Sequence, residues 1–128
     1  MALTISQKTV NEGTTFKYEA TLKDEAGVVI PSADLTTLTL TLYNVATAAI
    51  INSQTDTDVL NANNGTVHAT SGLFTMIFKP LDNPIVTTAT LAGEYEEHIA
   101  LFEWTYNAGA DAGKHELTIY VKQLAKVT

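Results

Sequence analysis

The chain has 128 residues, 45% of them hydrophobic and 16% charged, which excludes a disordered charged tail and suits one domain with its own core. Its net charge is −7, all seven basic residues are lysines, and arginine and cysteine are absent. Phosphate repulsion therefore argues against nucleic-acid binding, and disulfides, thiolate metal sites and cysteine nucleophiles are excluded.

No apolar run approaches the ~18 residues of a membrane span. The opening Met-Ala-Leu-Thr-Ile-Ser lacks the basic start and long apolar core of a signal peptide, so the expectation is a soluble protein made in a cytoplasm. The 21 threonines lean towards β structure, because a β-branched side chain suits the solvent face of a sheet.

The first predicted strand covers residues 2–9, with Leu3 and Ile5 on one side. Residues 14–23 alternate cleanly: Phe16, Tyr18, Ala20 and Leu22 share one face, and Lys17, Glu19, Thr21 and Lys23 share the other. That period of two is the signature of a half-buried strand. A turn at 25–27 leads to a short extended piece at 28–30, stopped by Pro31. Residues 38–43 alternate again, with leucines inward and threonines outward, and 48–52 reads as a short strand or a helical turn. The polar stretch 53–65 ends in Asn63-Asn-Gly65, a tight-turn signal because Asn and Gly tolerate positive φ.

Residues 73–78 place Phe74, Met76 and Phe78 on one face, and Asp82-Asn-Pro84 marks an irregular connection. A closing hairpin follows, with one strand through 98–106, a turn-prone stretch at 107–114 and an alternating strand at 115–122. Strands about ten residues apart with turn punctuation predict an all-β, antiparallel β-sandwich of about seven to eight strands in a single domain over residues 1–128.

Catalytic and metal-binding patterns are weak. His68, His98 and His115 are scattered, without metal-ligand spacing. Asp56, Asp58, Asn61 and Asn63 depart from calcium-loop spacing, because Val59 and Leu60 take its central positions and no glutamate closes it. Glu94, Glu96, Glu97 and Glu103 read as surface charges or lysine partners. No nucleophile elbow or phosphate loop is present. The expectation is a protein that is not an enzyme, with no catalytic, cofactor-binding or metal residues.

One strand breaks the wet-face rule. From 94 to 106 one parity carries Tyr95, Ile99 and Leu101, and the other carries Ala100, Phe102, Trp104 and Tyr106. Either the strand is covered on both sides, or a bulge flips its parity, or one face meets a partner. The candidate interface residues are Phe102, Trp104, Tyr106 and Tyr120, because aromatic side chains dominate binding hot spots. The corresponding expectation is that Trp104→Ala weakens partner binding more than it lowers the melting temperature.

Gly65 with its short strand, the run Ser71-Gly-Leu-Phe-Thr-Met-Ile-Phe78, Ala92-Gly-x-Tyr95 before an Ile/Leu strand, and Leu117-Thr-Ile-x-Val121 resemble an immunoglobulin-like domain of tailed bacteriophages. The named group is the family of the baseplate upper protein's N-terminal domain, and the likeness covers most of the chain. Small phage virion proteins with a similar Phe-Glu-Trp-Thr and Gly-Lys-His-Glu ending are the better comparison, since Phe102-Glu-Trp104 and the 107–114 turn are less typical of the baseplate group.

This resemblance implies an immunoglobulin-like fold and a non-enzymatic virion structural protein, made in the bacterial host cytoplasm and located in the virion. The expected role is capsid decoration or a related accessory function by protein–protein docking. Its partners would be the major capsid protein or other virion proteins, with self-association open and neither nucleic acid nor membrane bound. A tail or baseplate adaptor is the alternative in the same class. A carbohydrate-binding sandwich, with Glu103 and His98 beside the aromatics, is the alternative from another class. An edge strand at 2–9 could add to a partner's sheet through main-chain hydrogen bonds.

Overall fold

The computed structural model describes residues 4–86 and 93–124, and its strands follow the alternation of apolar and polar side chains. In chain order they are β1 (Thr4–Asn11), β2 (Phe16–Thr21), β3 (Leu35–Asn44), β4 (Thr57–Asp58), β5 (Gly65–Val67), β6 (Leu73–Phe78), β7 (Tyr95–Tyr106) and β8 (Asp111–Lys122). One sheet has the order β1-β8-β7-β3-β4, and the other has β2-β6-β5. Every pairing is antiparallel except β1 with β8, which is parallel.

That order defines the architecture. The run β8-β7-β3-β4 reproduces strands G-F-C-C′ of an immunoglobulin variable-type sheet, and β2-β6-β5 reproduces B-E-D. The chain is an immunoglobulin-like β-sandwich. Its first strand lies beside the last one, at the sheet edge, rather than beside β2. Leu3, expected in the first strand, lies outside the described residues.

The core forms where the inward parities meet. Leu38, Leu40 and Leu42 of β3, Phe102 of β7, and Leu117 and Ile119 of β8 face Phe74, Met76 and Phe78 of β6, all fully or nearly fully buried. Phe102 is a hub, with its ring edge-on to Phe74 at 5.1 Å between centroids and to Phe78 at 6.3 Å. Burying one such ring contributes about 1.5–3 kcal/mol before packing is counted.

Several connections differ from the sequence expectation. Piece 48–52 contributes only an isolated bridge, Ile50 opposite Tyr43, and the short extended piece expected at 28–30 contributes a bridge of Val29 opposite Lys23. The closing turn is shorter than 107–114, because Asp111 already pairs with Tyr106. Asn107, Ala108 and Gly109 all have positive φ and reverse the chain, and Asn107 Nδ2 donates to Asp111 Oδ2 at 2.6 Å. The tight turn before β5 is built by Asn63 and Asn64 at positive φ, with Gly65 N–H donating to the Ala62 carbonyl. Gly65 is needed for a different reason: a Cβ there would sit 2.3 Å from the Val59 carbonyl oxygen.

Candidate docking face

Strand parity decides which side chains can meet a partner. On β7, residues 96, 98, 100, 102, 104 and 106 point between the sheets, and 95, 97, 99, 101, 103 and 105 point outward. Phe102, Trp104 and Tyr106 are therefore core residues, with 1%, 5% and 6% exposure. This corrects the expectation that they anchor a partner: the sheet formed by β2 and β6 already covers that parity. Tyr120 points the other way and lies half-buried on the outer face.

The outer parity carries a group of apolar and aromatic side chains set among polar ones, with Ile99 and Thr118 buried beneath their neighbours. Cross-strand register aligns Ile50, Tyr43, Ile99 and Thr118 in one row. The next row is Glu97, Tyr120 and Thr9, and beyond it Tyr95 faces Lys122. Ile50 and Tyr95 are 44% and 52% exposed. At the other end of the face the surface turns polar: Lys114 pairs with Glu103 at 3.2 Å, and the Thr37 and Thr105 hydroxyls bond at 2.7 Å.

The acidic cluster divides by the same parity. Glu103 has the lysine partner expected of it, whereas Glu96 is buried and its Oε1 lies 2.6 Å from Nε2 of the fully buried His98. That corrects the reading of Glu96 as a surface charge. The same Glu96 oxygen accepts the Val86 N–H at 3.0 Å. Burial lowers the His98 pKa against the opposing pull of Glu96, so His98 is neutral and donates from Nε2. The signal was present in the sequence, since residues 96 and 98 share the parity of Phe102.

His115, also buried, contacts the Tyr18 hydroxyl through Nε2. Burial lowers the His115 pKa and raises that of Tyr18. These two line a cleft of about 480 Å³ along β2, together with Ser6, Trp104 and Lys114. His68 is exposed, and its Nδ1 accepts the N–H groups of Thr70 and Ser71 in a turn. The three histidines thus serve three separate environments. The sugar-site constellation is likewise not brought together, because His98 and Trp104 point inward and Glu103 outward.

In the 53–65 loop the oxygens are engaged locally. Asp58 Oδ1 accepts the Leu60 N–H, and Asn61 Oδ1 accepts the Val67 N–H. Asp82 is buried and accepts from Asn52, Gln54 and the Lys79 N–H, which ties the 80–82 turn to the loop after β3. Among the described residues no three His, Asp or Glu side chains group as metal ligands.

No protein-family profile and no curated protein matches the chain. Among solved structures, the titin M3 domain aligns with a TM-score of 0.40 and 12% identity, over 94% of this chain and 91% of that domain. At that level the likeness adds nothing to the strand order, which carries the fold assignment.

Proposed function

We propose that this chain is a non-enzymatic virion protein of tailed bacteriophages that decorates the capsid by docking through the outer face of the β1-β8-β7-β3-β4 sheet. The observation that carries the docking mode is the group of Ile50, Tyr43, Tyr120 and Tyr95 on that face, with Ile50 and Tyr95 exposed and Ile99 buried beneath them. Such patches on a small domain mark interaction sites. The phage setting rests on the sequence resemblance, and the arginine-free, acidic composition supports docking on protein rather than on nucleic acid. On a shell of repeated subunits, many weak contacts sum to substantial stabilisation.

Cryo-electron microscopy of the virion that encodes the chain tests this reading. The expected result is sandwich density in a regular array on the head, contacting the shell through Tyr43 and Tyr95. Density at the tail or baseplate would replace decoration with the adaptor role, and absence from the particle would overturn the virion assignment.

A further inference from the structure

One end of the outer face carries a recess of about 410 Å³ lined by Thr9, Tyr95, Glu97 and Tyr120. We infer that this recess takes an arginine side chain of the docking partner, with the guanidinium held between the two tyrosine rings and against the Glu97 carboxylate. The inference rests on the outer face being the docking surface.

Register sets the geometry. Glu97 and Tyr120 are direct cross-strand partners, and Thr9 is the partner of Tyr120 on its other side. Tyr95 pairs with Lys122, so Tyr95 and Tyr120 are diagonal neighbours, ~7–8 Å apart at the backbone. Two rings rising side by side from that backbone spacing would leave the two separations of about 3.5–4 Å that a planar group in contact with each ring needs. The ring faces are electron-rich and attract cations, and arginine is the cation that also stacks as a plane.

Charge supplies the second, independent reason. Glu97 is half-buried, and among the described residues its carboxylate meets no ion-pair or hydrogen-bond partner. The other outward glutamate of β7, Glu103, faces Lys114 across the strands and has its ion pair, whereas Glu97 faces Tyr120. Among the described residues the one cation over an aromatic ring is Lys8 over Phe16, so no described lysine caps Tyr95 or Tyr120. A net charge of −7 with no arginine leaves the partner to supply the guanidinium.

The test is a ¹H–¹⁵N NMR titration of the full chain with N-acetyl-arginine-N-methylamide and with its citrulline counterpart, which keeps the shape and lacks the charge. The arginine probe is expected to give saturable shifts centred on the amides of Thr9, Tyr95, Glu97 and Tyr120. E97Q and Tyr95→Leu, whose side chains reach solvent, should each weaken it about tenfold while leaving the rest of the spectrum unchanged. Equal binding of the citrulline probe, wild-type affinity in E97Q, or shifts centred elsewhere overturns the inference. Binding to purified heads, measured in parallel, separates the two claims. Heads that bind the chain although the recess ignores arginine leave docking intact and remove the guanidinium. A recess that takes arginine in a chain that heads ignore does the reverse.

Discussion

Tyr18 on β2 and Phe102 on β7 stack across the sandwich, 6.0 Å between centroids with their planes 6° apart. These strands occupy positions B and F, which antibody domains join by a disulfide. In a chain without cysteine, an aromatic stack stands at that junction. Phe102→Ala removes the ring that also meets Phe74 and Phe78 and should cost about 3–5 kcal/mol by urea denaturation. A loss below about 1 kcal/mol would show that the two sheets are held elsewhere.

Acid stability should depend on His98. Burial lowers its folded-state pKa below the ordinary 6.5, as it does for His115. As pH falls through 6.5 the unfolded chain takes up protons first, so stability drops until the lower folded-state values are passed. Urea midpoints between pH 7.5 and 5 should therefore fall in the wild type and fall less steeply in H98Q. Identical slopes would contradict the buried neutral imidazole.

Alkaline stability should depend on Tyr106, whose hydroxyl donates to Glu25 Oε2 at 2.6 Å. That bond, with burial and the nearby carboxylates, pushes its pKa up to about 12. Between the ordinary value of 10 and about 12 the unfolded chain loses this proton while the folded one keeps it, so stability falls as pH rises through that window. Thermal melts of Tyr106→Phe should be flatter with pH there than those of the wild type.

Gly65 and Gly13 separate two reasons for glycine. A Cβ at Gly65 would strike the Val59 carbonyl, whereas one at Gly13, with φ +64°, meets nothing. Gly65→Ala should cost about 3 kcal/mol through forced backbone movement, and Gly13→Ala about 1 kcal/mol through its dihedral. Similar losses at both sites in urea denaturation would refute the close approach.

Legibility followed local period. Strands β2, β3 and β6 each have one wet face, so their alternation gave both the element and its inward side chains. β7 carries apolar residues on both parities, and only the sheet packed against it shows that Phe102, Trp104 and Tyr106 face inward. Glu96 looked like its neighbours Glu94 and Glu97 because charge clustering hid its parity. The two-residue β4 and the parallel pairing of β1 with β8 arise from contacts distant in sequence, which no local pattern encodes. Of the four candidate interface residues, Tyr120 alone lies on the outer face.

The docking reading stands on one claim: the inward aromatic row holds the sandwich together and the outward row is free to bind. Paired urea denaturation of Trp104→Ala and Tyr95→Ala tests it most directly. Loss of the buried indole should cost about 3–5 kcal/mol, and loss of the exposed Tyr95 ring should change stability by no more than about 0.5 kcal/mol. A Trp104→Ala variant as stable as the wild type, or a Tyr95→Ala variant that unfolds, would contradict the assignment of faces.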